Sequence, residues 1–284
     1  MPAPTTLPVQ IVDVIDPDDE RLDDFRDLNS VDRRPDLPVL PGGALGKGLV
    51  IAEGVLVVER MVASRFAPHA FLGVNRRLDE LSTSLVPTAD PGAVPFFRAS
   101  AEVMAEVVGF HLNRGVLGVA RRPAELTAEQ AIDGATIVAV LEGVNDHENI
   151  GSIFRNAAGL GVDAVLFGSG CADPLYRRCV RVSMGHALLM PFAKLPQWPR
   201  ELDLLGERGM TTVSLTPDPT VPLLPEAVDG VGKVAFLVGA EGPGLTAAAM
   251  RASHVRARIP MSRGTDSLNV ATAAAIAFYE LARR

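Results

Sequence analysis

Ile259-Pro-Met-Ser-Arg-Gly-Thr-Asp-Ser-Leu-Asn-Val270 passes from a strand pattern through a polar loop into a helical pattern. Pro260 cannot donate to a sheet ladder, so the strand pattern Val255–Ile259 ends there. Met261–Asp266 is polar and contains a glycine, which reads as a loop. Ser267 predicts the cap of a helix running from about Leu268 to Ala282, with Asn269 in its first turn. The alanines between Val270 and Tyr279 let that helix pack closely against a neighbour. Taken alone, the stretch is a strand end, a loop and a capped helix, and nothing in Ser267 by itself demands chemistry.

Upstream, apolar strands alternate with helical patterns. Thr136-Ile-Val-Ala-Val-Leu141 is a continuous apolar run, as expected of a strand covered on both faces. A helix over about Ile150–Leu160 follows, then strands at Ala164–Phe167, Thr211–Leu215 and Val234–Val238. This alternation predicts an α/β fold around a mostly parallel sheet. Leu237-Val-Gly239-Ala-Glu241-Gly242-Pro-Gly244-Leu245 lies between the last of these strands and a helix. Open sheets bind ligands at the carboxyl ends of their strands, and glycines bring backbone N–H groups close to a ligand. The loop has neither the Gly-Lys-Ser/Thr of a Walker loop nor a G-x-G-x-x-G fingerprint, and a tight turn explains it equally.

A third cluster, Asn149-Ile-Gly-Ser-Ile-Phe-Arg155-Asn156-Ala157, follows the strand at 136–141. Asn149 is expected to cap the helix. Arg155 interrupts an otherwise apolar pattern. A guanidinium there is either exposed on the outer face or aimed at an anionic partner.

The amino-terminal half is less regular. Residues 1–48 read as an extension, with Pro35, Pro38, Pro41, Gly42-Gly43, Gly46 and Gly48 marking turns, and one short helix over Pro17–Leu28 capped by Asp16. Residues 49–122 read as a small α/β domain. Its strands are expected at Leu49–Ile51, Phe71–Val74 and Val116–Val119, and its helices from Glu53-Gly54 onward and over Ala99–Val108. Residues 123–134 read as a linker with a short helix at Glu125–Asp133, and 135–284 as a second domain.

The chain has 284 residues, 48% of them hydrophobic and 21% charged, the balance of a globular protein with a sizeable core. Cys171 and Cys179 match neither zinc spacing nor a disulfide framework, so a reducing compartment, the cytoplasm, is expected. The five histidines form no metal-ligand pair, so no metal is expected. Neither a signal peptide nor a membrane span is expected. The net charge of -7 argues against a nucleic-acid partner until its distribution is considered. Residues 1–30 hold eight acids and two bases, whereas residues 31–122 hold eleven bases and nine acids. Arg33-Arg34, Arg76-Arg77 and Arg121-Arg122 could touch phosphates or could be an ordinary solvated surface.

Each cluster alone is modest. Together, in this order and spacing, Asn149–Ala157, Leu237–Leu245 and Ile259–Val270 resemble the three motifs of the SpoU (TrmH-type) RNA 2'-O-ribose methyltransferases of the SPOUT superfamily, over roughly Ala135–Arg284. Ile51-Ala-Glu-Gly-Val55 and His111–Val119 resemble more weakly the L30e-like RNA-binding domain that often precedes that half. The resemblance implies a SPOUT-type α/β trefoil knot, S-adenosyl-L-methionine as cofactor, structured rRNA or tRNA as substrate, and a homodimer with its active site built across the interface. It carries the cofactor-holding positions onto Gly239, Ile259 and Leu268, with Leu237 and Met261 expected in the same pocket, and the functional polar positions onto Asn149, Arg155, Glu241, Ser267 and Asn269. Many members read Ile-Pro-Met-x-Gly in the third motif; here Arg263 occupies the glycine position and Gly264 follows.

Two rivals remain at this level. A nucleotide-dependent oxidoreductase has only the glycine loop in its favour and lacks the early glycine fingerprint. A non-catalytic RNA-binding member of the same superfamily is opposed by the intact Asn149, Arg155, Ser267 and Asn269.

Overall fold

The structure is a computed structural model and describes residues 5–30, 34–37, 47–262 and 264–283. These form two compact units. One comprises the described residues of Met1–Ala124 together with Leu175–Leu189, the other those of Glu125–Pro174 and Met190–Arg284.

The first unit is built on a six-stranded mixed sheet. Its strands are β1 (Leu7–Asp13), β2 (Leu49–Glu53), β3 (Pro68–Gly73), β4 (Leu85–Pro87), β5 (Val94–Arg98) and β6 (Val116–Arg121), in the order β2-β6-β3-β5-β1-β4. β6 runs antiparallel to both its neighbours, and the other pairs are parallel. Leu22, Phe25, Leu72, Phe97 and Leu117 are among the buried residues that pack on one face. The expected helices appear at Val55–Val62 and Ala101–Val108.

The extension expected over 1–48 needs correction. Leu7–Asp13 is an inner strand with β5 on one side and β4 on the other. Its sequence, Leu-Pro-Val-Gln-Ile-Val-Asp, hides this because only Val9 is buried, so the pattern of a covered strand is missing. The helix expected over Pro17–Leu28 is a single 3-10 segment, Glu20–Phe25. Asp19 caps it by accepting from Arg21 N, while Asp16 accepts from Asp18 N at 2.9 Å. Pro38, Pro41, Gly42, Gly43, Gly46 and Arg33 lie outside the described residues.

Leu175–Leu189 was read as part of 135–284, yet its contacts group it with the first unit. It carries short helices at Arg177–Val182 and His186–Leu189. Arg177 Nη1 donates to Glu53 Oε2 at 2.8 Å, Nη2 to Asn29 Oδ1 at 3.0 Å, and the Arg177 backbone N–H to Asp36 Oδ2 at 2.8 Å. Glu53 and Asp36 are both buried. Buried carboxylates need such partners, and a pairing across more than a hundred residues leaves no local trace in the sequence.

The second unit is a six-stranded sheet in which every pair is parallel. Its strands are β7 (Ile137–Glu142), β8 (Ala164–Phe167), β9 (Phe192–Lys194), β10 (Thr211–Leu215), β11 (Val234–Gly239) and β12 (Val255–Ala257), in the order β12-β10-β11-β7-β8-β9. The chain builds outward from β7 through β8 to β9, then crosses to lay down β10, inserts β11 between β10 and β7, and ends with β12 on the outer edge. Val140, Leu166, Ala235, Leu237 and Leu245 lie in one core cluster. Elsewhere in the unit, Phe154, Phe167 and Phe192 meet ring to ring with centroids 5.9–6.1 Å apart, and Phe236 packs on Phe278 of the terminal helix Val270–Ala282. No helix of the described residues is long and apolar enough to cross a membrane.

Candidate active site

Helix His147–Gly159 starts right after β7 and is capped by Asp146, whose side chain accepts from Glu148 N at 3.0 Å. Asn149, expected as the cap, therefore lies inside the first turn and is buried. A cap needs its oxygen for the helix N–H groups; Asn149 is released from that duty and reaches across the sheet instead. Its Nδ2 donates to Glu241 Oε1 at 3.0 Å.

A second correction applies at the terminal helix. Ser267 is not its cap. Asn269 is, accepting through Oδ1 from Ala271 N at 3.0 Å and Thr272 N at 3.1 Å. With Oδ1 so engaged, Asn269 Nδ2 points the other way and donates to Asn149 Oδ1 and to Glu241 Oε1, each at 2.8 Å. Asn149, Glu241 and Asn269, one from each sequence cluster, thus form a closed polar ring.

The ring borders a cavity of about 800 Å³ at the carboxyl ends of β10 and β11. Gly239, Ile259, Met261 and Leu268 line it, as do Glu241, Ser267 and Asn269. Leu237 does not: strand alternation turns its side chain into the core with Val140 and Leu245, and Val238 and Gly239 reach the cavity in its place. Asn149 stands behind Glu241 and Asn269 rather than in the lining. Arg155 is exposed on the helix His147–Gly159, outside the lining, and makes no hydrogen bond or ion pair among the described residues. Arg263 lies outside the described residues.

One wall of the cavity is main chain, from Gly239 to Leu245. Gly244 N donates to Ala240 O at 3.0 Å, which folds the loop back on β11. A Cβ on Gly239 would stand 2.1 Å from Gly244 C and 2.2 Å from Leu245 N, so only glycine permits the fold. Asn156 Nδ2 donates to Ala271 O at 3.3 Å, tying the helix after β7 to the terminal helix.

Sequence reading missed Glu142. It ends β7, is buried, and accepts from Thr246 N at 2.7 Å, from Thr246 Oγ1 at 2.8 Å and from the Trp198 indole N–H. The available signal was an acid at the end of an apolar run, Val140-Leu-Glu142. Among the described residues, no three His, Cys, Asp or Glu side chains come together in a way that could hold a metal ion.

Residues 136–279 match the model of the SpoU rRNA Methylase family. A relative from Mycobacterium bovis named as an uncharacterized tRNA/rRNA methyltransferase is 66% identical over 282 residues, covering 99% of this chain and 94% of the relative. The fold is similar to the crystal structure of an RNA 2'-O ribose methyltransferase, with a TM-score of 0.74 and 22% identity over 96% of this chain and 98% of that one. It is also similar to the SpoU methyltransferase AviRb of Streptomyces viridochromogenes, crystallised in complex with AdoMet, with a TM-score of 0.73 and 19% identity over 93% and 97% of the two chains. With three motif clusters meeting at one cavity, a match to the family model over half its length and a relative at 66% identity along nearly all of it, the chain belongs to the SpoU rRNA methylase family.

Proposed function

We propose that this protein transfers a methyl group from S-adenosylmethionine to a ribose 2'-hydroxyl of a structured RNA, either rRNA or tRNA. The observation that carries the proposal is the closed ring of Asn149, Glu241 and Asn269 at the rim of a cavity walled by backbone. About 800 Å³ is within the roughly 300–1,000 Å³ typical of small-molecule sites. The wall suits a nucleoside-type cofactor, since main-chain N–H and C=O groups of Gly239, Ile259 and Leu268 can meet its polar edges while Met261 offers apolar surface. When bound, the cofactor supplies a sulfonium methyl group for in-line transfer.

The protein's own task is to orient the ribose and to ease loss of the hydroxyl proton. Asn149, Asn269 and Glu241 hold one another's geometry, and the exposed Ser267 stands beside them for RNA. Arg155 carries a guanidinium, which donates hydrogen bonds and accepts none, so it serves by stabilising negative charge on the 2'-oxygen or by holding a phosphate. Its guanidinium is unpaired among the described residues, which supports a site completed by RNA and by a second copy. The terminal helix leaves Ile276 and Tyr279 exposed at 38% and 59%, apolar surface suited to a homodimer through the second unit. In the same reading the second unit is a trefoil-knotted SPOUT domain. Its terminal helix, coming after β12, returns to pack on the helix that follows β7. The first unit is then an L30e-like RNA-binding domain, with the protein working in the cytoplasm.

The test is calorimetric titration with S-adenosylmethionine and with NAD, followed by radiolabelled methyl incorporation into bulk RNA and mapping of the methylated position. Binding of S-adenosylmethionine alone and a mapped 2'-O-methyl ribose are expected. NAD binding in its place would return the oxidoreductase, and cofactor binding without methyl transfer would return the silent RNA binder.

A further inference from the structure

We infer that Glu142, which touches neither the cavity nor any reacting atom, is the positioning residue that holds the cofactor wall in its binding shape; the inference rests on the cavity being the S-adenosylmethionine site. Glu142 ends β7 and stands in parallel register with Gly239, where the wall begins. Glu142 is 3% exposed and, among the described residues, pairs with no cation. It is held by neutral donors alone: Thr246 N, Thr246 Oγ1 and the Trp198 indole. A buried carboxylate held without a countercharge is costly, so such a group marks a place where geometry outweighs stability.

The geometry concerns the wall. Gly239–Leu245 lines the cavity continuously, so its shape is set by where the main chain is anchored. At the near end the chain is anchored by β11, and in the middle by the Gly244 N to Ala240 O bond. At the far end the anchor is Thr246, which follows the wall directly and caps helix Ala247–Ala252 by accepting from Ala249 N at 3.2 Å. The Thr246 hydroxyl thus accepts from the helix and donates to Glu142, while its N–H also goes to Glu142. Both Thr246 donors fall on one carboxylate, so that carboxylate fixes both the position and the orientation of the residue that ends the wall. Glutamine in its place keeps one acceptor oxygen and turns an N–H toward Thr246, leaving one of the two donors without a partner.

The experiment uses the full-length protein and titrates S-adenosylmethionine into wild type, E142Q, T246V, the double variant and W198F, with thermal unfolding and methyl transfer measured alongside. We expect E142Q and T246V each to weaken cofactor binding about tenfold or more, the scale of one unsatisfied buried group. The double variant should bind no more weakly than the weaker single variant, since both act through one contact. W198F, which removes only the third donor, should bind like wild type. Turnover at saturating cofactor should persist, so that KM moves and kcat does not. Wild-type affinity in a cooperatively folded E142Q overturns the inference, as do additive losses in the double variant or a loss in W198F equal to that in T246V. If E142Q does not fold, T246V at its exposed position carries the test, and wild-type affinity there overturns the inference. A wild-type protein that fails to bind S-adenosylmethionine overturns the cofactor reading itself.

Discussion

Asn269 donates to Asn149 Oδ1 at 2.8 Å, joining the cap of the last helix to the first turn of the helix after β7. The two residues are 120 positions apart, and both donate to Glu241 Oε1. Replacing Asn269 by aspartate keeps the helix cap but sets a second carboxylate against Glu241. We expect Asn269→Asp to be less stable than wild type at neutral pH and to recover as pH falls. The like charges raise a carboxyl pKa in the folded state, so the folded protein binds the extra proton first. Asn269→Ser keeps a cap without the second charge and should show no such pH dependence. Thermal midpoints of both variants against pH check this.

Arg155 bears on chemistry rather than on stability. It is exposed and has no partner among the described residues, so Arg155→Ala should change unfolding free energy by no more than about 0.5 kcal/mol. Methyl transfer to RNA should be lost while cofactor affinity stays near wild type. Near-wild-type turnover on the true RNA would remove Arg155 from the mechanism.

Gly239→Ala tests the backbone wall. Its Cβ would meet Gly244 and Leu245 backbone at 2.1–2.5 Å, which the loop can relieve only by moving. A cost of about 1–3 kcal/mol is expected from such overpacking, with a loss of cofactor binding that exceeds it. Chemical denaturation and calorimetry measure the two separately.

In the first unit, Arg177→Met leaves Glu53 buried without its closest cation. Breaking a buried pair from one side costs about 3–5 kcal/mol, so Arg177→Met should unfold well below wild type. Arg181, 3.6 Å from Glu53 Oε2, will soften the loss. The double variant Glu53→Leu/Arg177→Met should be more stable than Arg177→Met alone, as denaturant titration would reveal.

Asp24 gives an acid-side prediction. Burial pushes its carboxyl pKa up, but hydrogen bonds from Lys47 and His69 and the two positive charges outweigh this and hold it below the usual value. A depressed carboxyl pKa stabilises the fold fully above the unfolded value of about 3.9, and the contribution is lost as pH falls through the folded value. Asp24→Asn should therefore lower the thermal midpoint near neutrality and flatten its decline on acidification below about pH 4.

The elements of the second unit were legible in the sequence because each carries its own signal. Ile137–Leu141 and Val234–Val238 are apolar throughout, and a strand with that pattern is expected to be covered on both faces, hence the parallel sheet. Cap identities were not legible. Asn149 and Ser267 both looked like caps, yet Asp146 and Asn269 took those roles, because several capping residues stand within a few positions and packing selects among them. β1 was missed because only one of its side chains is buried, and Leu237 was assigned to the cavity because spacing alone does not tell which face of a strand looks inward.

Three motif clusters, their order, and the α/β alternation that carries them are readable from the residues alone, since these depend on residue type and local period. Only the folded chain brings Asn149, Glu241 and Asn269 to one oxygen, sets Glu142 behind the Gly239–Leu245 wall of the cavity, and joins Leu175–Leu189 to the first unit through Arg177 and Glu53. Each of these is a hydrogen bond between residues far apart in the chain. Its energy depends on distance and on the exclusion of water, and neither exists until the sheet has brought the partners together.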